Sequence, residues 1–343
     1  MSRRYLFTAV VFVLWIVGFY LASDFTGQDL LNELGRMNLI GVVVGFLAYG
    51  MATGAGILIL YRCLRYVGLK PPVKGVAKAW IFGSFIDNIV PTVTPVGEAT
   101  MAYFLERFYR VSYTKSLAAI GMYVSAWGLS VSIFSAAAVI LTEYFVGIPR
   151  AFLVPVILVV VAFSLITVGW LLLLTRKKLV ERIVCGIVRL YNRIYNKIKR
   201  RKVTFDRCLV NMEFEKAYKS LEGLMRNKRH ITTSVFLFLL PQLAHVFCIY
   251  AIVRIGFGME MSLWVVLTIH IVASVAGLIS FIPSGLGVYE TVASGALAMG
   301  VPGSVAIAAI LIYRLIFVWT TNLVGGVVGI IEGVENPGKV INP

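Results

Sequence analysis

Two charged residues stand where an apolar chain has least use for them. Glu290 follows a proline and two glycines in FIPSGLGVYET (residues 281–291), and Arg314 sits in the middle of AAILIYRLIFVWTTN. A carboxylate in the first turn of a helix can cap that helix, a use worth up to about 1 kcal/mol. An ionisable group at membrane depth costs roughly 2.5–3.5 kcal/mol even on lenient insertion scales, and so takes a partner. A Glu290–Arg314 pair, or an Arg314 reserved for an anionic substrate, is therefore expected. The break at Pro283, Gly285 and Gly287 frees backbone groups, and a helix starting there points its N–H groups at what lies ahead, a setting suited to a phosphate.

TPVGEA (residues 94–99) repeats the pattern with Gly97 and Glu98, and Asp87 and Asn88 precede it. LAAIGMY (117–123) then matches IAAILIY (307–313), so acid and tyrosine lie 25 residues apart in the first copy and 23 in the second. Two matches in the same order point to pseudo-symmetric halves, each with an interrupted helix, as in transporters that bind substrate at the repeat interface. Glu98 competes with a solvated loop position. Asp87 and Asn88 could instead satisfy the backbone broken by Pro91 and Pro95. Tyr123, Tyr313, His245, His270, Gln242 and Asn322 read as interhelical hydrogen-bonding groups, and Pro241 as a kink.

No catalytic or cofactor set emerges. HExxH, GxSxG and a Walker loop are absent, the cysteines at 63, 185, 208 and 248 form no CxxC, and the histidines are scattered. The expectation is a chain that is not an enzyme and carries no cofactor or metal.

The elements that must hold these residues are set by composition. Of 343 residues 59% are hydrophobic and 14% charged, a balance that belongs to an integral membrane protein. Runs of about 20 apolar residues and no alternating strands give an all-α fold. Spans are expected at Tyr5–Leu21, Leu39–Tyr61, Ser116–Leu141, Phe152–Leu174, Ile231–Val253, Leu263–Phe281 and Ser304–Ile331. Small residues in GFLAYGMATGAG allow close helix contact.

The net charge of +16 is concentrated in one place, since residues 176–229 hold 17 Lys or Arg against 5 Asp or Glu. That asymmetry marks a cytoplasmic segment at an anionic membrane surface rather than a nucleic-acid site. Its apolar residues from Val180 to Ile198 recur at helical spacing, as in an amphipathic helix on the inner leaflet or one packed on its own protein. The N-terminus is expected inside. Basic loops near residue 70 and from Arg176 on flank two clear spans, so the Asp87–Glu98 region should enter and leave on one face. Treating 282–300 alike gives seven crossings, two re-entrant segments and an outward C-terminus. The chain divides into 1–175, the basic segment 176–230, and 231–343.

TPVGEA, FEKAYKSLEGLMRNKRHITTSVFLFLLPQLAHVF (214–247) and FIPSGLGVYETVASGALAMGVPGSVAIAAILIYRLIFVW (281–319) together resemble the lysylphosphatidylglycerol synthase transmembrane region, or flippase-like, family over residues 38–332. The resemblance implies lipid translocation without the aminoacyl-lipid synthetase domain that some members carry. By motif it nominates Gly285, Gly287, Glu290 and Arg314, with Gly97 and Glu98 in the first half. There the chain departs from the family: Met101 stands in place of an arginine, and Tyr123 to Ser125 in place of an acidic-basic pair. The implied cargo is an anionic phospholipid or a lipid-linked glycan of the cell membrane, with a synthesis enzyme as a partner at the cytoplasmic face. The rival functions are a non-transporting scaffold of such a complex, and a membrane transferase using Glu290 as base.

Overall fold

The computed structural model describes residues 27–90, 96–147, 150–179, 181–182, 215, 218–219, 222–223, 227–280 and 282–335. The expected span Tyr5–Leu21 and most of the basic segment, including its apolar stripe, lie outside them. Among the described residues all regular structure is helical, as composition requires.

The helices are α1 (Gly27–Arg36), α2 (Leu39–Tyr66), α3 (Val73–Ile89), α4 (Val96–Tyr109), α5 (Tyr113–Phe145), α6 (Arg150–Thr175), α7 (Lys228–Leu237), α8 (Leu239–Ala251), α9 (Leu263–Ile279), α10 (Val288–Leu297), α11 (Gly303–Arg314) and α12 (Thr320–Glu335). Among the described residues four stretches are long and apolar enough to cross a membrane: Leu39–Tyr66, Tyr113–Phe145, Arg229–Gly256 and Gly303–Gly333. Their outer faces stay greasy: Leu47, Ile140 and Leu323 are about 70% exposed (69%, 67% and 71%), a surface for lipid rather than water. Local chemistry sets the boundaries. Asn38 caps α2 by accepting from the Ile40 amide at 3.0 Å. α3 stops at Ile89, because Val90 precedes Pro91 and is pushed to extended backbone (φ −88°, ψ 117°). Pro241 cannot donate to the residue-237 carbonyl, and α7 gives way to α8 one turn earlier, at Phe238. The kink falls where the proline predicts it.

Contacts at the helix ends fix the topology. Tyr66 stacks on His230 at 4.5 Å, while the Asn38 amide donates to the Gly256 carbonyl at 2.8 Å. α2 and the α7–α8 span are thus antiparallel, with ends roughly 40 Å apart at 1.5 Å per residue. The small-residue stripe lets them touch: Gly41 faces the Gly256 backbone and Gly45 faces Cys248 and Ile316. α3 leaves from the Tyr66 end, and α4 brings the chain back, with the Tyr109 ring over Gly75. α9 leaves from the opposite end, where Trp264 stacks on Phe145 at 5.1 Å, and α10 returns to it, with Gly300 against Met261. Two helical hairpins therefore enter the bundle from opposite ends. α5 runs the length of the bundle and contributes to both apolar cores, through Ile120 and Met122 to one and Phe134 and Ala138 to the other.

The first hairpin enters and leaves the bundle at one end. So does the second, whose first arm is expected from sequence to be the span Leu263–Phe281. Gly277 of α9 lies against Gly285, so α9 is one arm of a hairpin whose other arm is α10. The side of the last helix changes accordingly. Ser304 donates to Glu33 at 3.0 Å, near the Gly256 end, and Lys78 pairs with Glu332 at 2.5 Å, near the Tyr66 end. The final helix ends on the face of the basic loop near residue 70, not the opposite one. Cysteines introduced together at Lys78 and Glu332, in a background lacking all four native cysteines, are expected to form a disulfide under mild oxidation. A pair at Lys78 and Ser304 is expected not to; the reverse pattern would restore the opposite topology.

Candidate functional site

The tips of the two hairpins meet inside the bundle. On the second tip, Ser284, Gly285 and Gly287 have φ of 53°, 62° and 83°. Glycine enters this left-handed region freely, but for serine it costs roughly 1–2 kcal/mol, so surrounding contacts must hold it. They are present. Ser284 Oγ donates to the Asn88 carbonyl of the first tip at 3.0 Å, and the Ser284 carbonyl accepts from Arg314 Nη2 at 2.7 Å.

Glu290 serves two partners. Its Oε2 accepts from the Gly287 amide at 2.7 Å, capping α10, and its Oε1 accepts from Arg314 Nε at 2.5 Å. Both uses weighed from sequence hold at once. Glu290 is fully buried and Arg314 nearly so, and the guanidinium carbon lies 5.1 Å from the Tyr289 ring centroid, a cation–π contact. Directly after Arg314 the helix widens to a π-turn, Leu315–Trp319, a distortion frequent at functional sites.

On the first tip, Asp87 Oδ1 accepts from the Gly97 amide at 2.7 Å, so this carboxylate closes the broken backbone. The Asp87 carboxylate occupies the space a side chain at Gly97 would need. Asn88 Nδ2 donates to Asn322 at 2.9 Å, and Trp80 Nε1 donates to the Tyr123 hydroxyl at 2.7 Å. Glu98 opens α4, half-buried and within electrostatic range of Asp87. Among the described residues neither carboxylate forms an ion pair. The tips thus differ in charge: one carries a neutralised Glu–Arg pair, the other two acids.

Six of the seven nominated residues lie at the two tips, and Arg314 reaches the second tip from α11. Sequence reasoning missed Ser284; the only signal was a serine lodged between a proline and a glycine. It also missed that His245, His270, Tyr289 and Tyr313, from four different helices, form one cluster. His245 Nδ1 bonds the Tyr313 hydroxyl at 2.8 Å and His270 Nδ1 bonds the Tyr289 hydroxyl at 2.9 Å. The two imidazoles stack with centroids 5.2 Å apart. Among the described residues no group of three or more His, Cys, Asp or Glu converges as a metal site would require.

Chemically, the second tip offers a buried guanidinium, a serine hydroxyl and a helix N-terminus, a set that favours an oxyanion. Among the described tip residues the Ser284 hydroxyl bonds a backbone carbonyl rather than a base. A family model described as "Lysylphosphatidylglycerol synthase TM region" matches residues 6–325. A UPF0104 membrane protein of Methanothermobacter thermautotrophicus is 26% identical over 253 residues, 71% of each chain. One from Methanocaldococcus jannaschii is 24% identical over 256 residues, 74% of this chain and 73% of its own.

Proposed function

Because the chain belongs to the lysylphosphatidylglycerol synthase transmembrane region family, and because two opposed hairpins meet at a buried Glu290–Arg314 pair, we propose that it translocates a lipid. The cargo is a phospholipid or a polyprenyl-phosphate-linked sugar moved between leaflets of the cell membrane, without enzymatic chemistry. The observation that carries this reading is the meeting of the hairpin tips. Interrupted helices at corresponding places in two halves are the hallmark of a midplane transport site.

The halves match element by element: 28, 17, 14 and 33 residues for α2 to α5, and 28, 17, 10 and 31 for Arg229–Gly256, α9, α10 and Gly303–Gly333. Since their hairpins enter from opposite ends, they form an inverted repeat. With both hairpins re-entrant, and with Tyr5–Leu21 as a first span, the chain crosses six times. The basic loops place Tyr66, Lys78 and Glu332 at the cytoplasmic face. Irregular backbone at the tips is tolerable because each tip covers the other.

A groove past these tips lowers the barrier for a polar headgroup while the tails remain in lipid. Arg314 and the Ser284 turn receive the phosphate, and Glu290 holds Arg314 when no cargo is present. The test is purified protein in liposomes with fluorescent phosphatidylglycerol or polyprenyl phosphate, scored by chemical reduction of the outer leaflet. Wild type is expected to expose inner-leaflet probe, and Glu290→Gln and Arg314→Ala to slow this at least about tenfold, the loss of one charge-assisted contact. Folded wild type that moves neither lipid would overturn the proposal and favour a scaffold for a synthesis complex.

A further inference from the structure

The histidine pair is not needed to hold a headgroup, and aliphatic side chains would pack that space without buried polar atoms. Ionisable groups inside a membrane domain are costly and mark ion or proton pathways. His245 and His270 stack face to face, and each bonds a tyrosine whose ring stacks on the other tyrosine, Tyr289 on Tyr313, at 5.6 Å. His270 is buried, whereas His245 keeps part of its surface open, so the pair has a sealed end and an open end.

The neighbours define what such a pair would sense. α8 adds Cys248 near Tyr313, α10 presents Tyr289 and Glu290, and α11 presents Tyr313 and Arg314. Tyr49 of α2 stands beyond Phe317, and α5 brings no ionisable group among those acting on either imidazole. The Arg314 guanidinium lies over the ring of Tyr289, the tyrosine bonded to His270. Glu290 already pairs with that guanidinium, so this corner of the site is neutral before cargo binds. An anion bound at Arg314 adds a net negative charge next to the Tyr289–His270 bond, and a nearby negative charge favours a protonated imidazole.

We propose that the stacked His245–His270 pair takes up a proton when an anionic headgroup binds at Arg314, making the proton a co-transported ion. The inference rests on the lipid-translocase reading and supplies its driving ion. The proton adds to one ring nitrogen of the pair and is shared through the facing ring and its tyrosine; it comes from water and returns there when the anion leaves. Linkage is reciprocal, so headgroup affinity must rise as pH falls.

The test uses the full chain in lipid nanodiscs titrated with dioctanoyl-phosphatidylglycerol, with heat measured in two buffers of different ionisation enthalpy. Wild type is expected to take up close to about one proton per lipid, with affinity rising by up to about tenfold per pH unit, the limit for one linked proton. His270→Gln is expected to bind the lipid with little uptake and a flat pH profile. Should it not fold, His245→Gln at the open end carries the same readout. Binding without uptake in wild type, or unchanged uptake in the histidine variants, would overturn this inference while leaving translocation standing. Absence of both lipid binding and liposome activity in wild type would remove the translocase reading and this inference with it.

Discussion

Arg314→Met is expected to destabilise the protein by about 3–5 kcal/mol, because it leaves the Glu290 carboxylate charged and buried without its partner. Glu290 has no exposed surface, and its second oxygen is already committed to the Gly287 amide, so it has no route to water. Glu290→Gln combined with Arg314→Met is expected to recover most of that loss. The amide oxygen can still accept from Gly287, and the uncompensated charge is gone. Lipid movement should stay lost in the double variant, which separates folding from function. Chemical unfolding in mixed micelles reads the first effect and the liposome assay the second. An Arg314→Met protein as stable as wild type would mean that the pair is solvated in the membrane.

Gly285→Val is expected to be the most damaging glycine substitution on the second hairpin tip. Gly285 has φ 62°, and a Cβ there would stand 2.7 Å from the Gly277 Cα. A β-branched residue in that conformation costs roughly 1–2 kcal/mol, and overpacking against backbone adds about 1–3 kcal/mol. The added methyls force α9 and the tip apart, which draws Ser284 away from both Asn88 and Arg314. Loss of stability should therefore come with loss of lipid movement. Gly287→Ala is the control: φ is 83° there too, but nothing lies within 4 Å of the missing Cβ. It should cost only the conformational part. Equal damage from both would show that backbone conformation, not helix contact, is what the tip requires.

Composition made the helical membrane class legible, and the acid-after-glycine motifs with Arg314 made the seven nominated residues legible. Each of those signals is local: a buried charge, a proline, a glycine before an acid. What was not legible depends on which helices lie beside one another. Leu263–Ile279 is apolar enough to read as a span by itself, and its pairing with the second tip through Gly277 is a contact that no local signal gives. Likewise His245 and His270 each looked like a lone interhelical donor. Their stacking arises because α8 arrives at, and α9 departs from, the same end of the bundle, which lays the two helices side by side. The paired role of Glu290 was visible only as two competing uses, since no spacing rule says that one carboxylate can serve both with its two oxygens.

The π-turn after Arg314 sets an angular register along the last helix. In an unbroken α-helix each residue turns the chain by about 100°, so Asn322, eight residues on, would point about 80° away from Arg314. The widened turn absorbs one residue, which brings the offset to about 20° in the opposite sense. Arg314 and Asn322 therefore share one stripe, and from it Arg314 reaches Ser284 while Asn322 reaches Asn88. Without the extra residue, one helix could address one hairpin tip or the other. With it, the same face meets both.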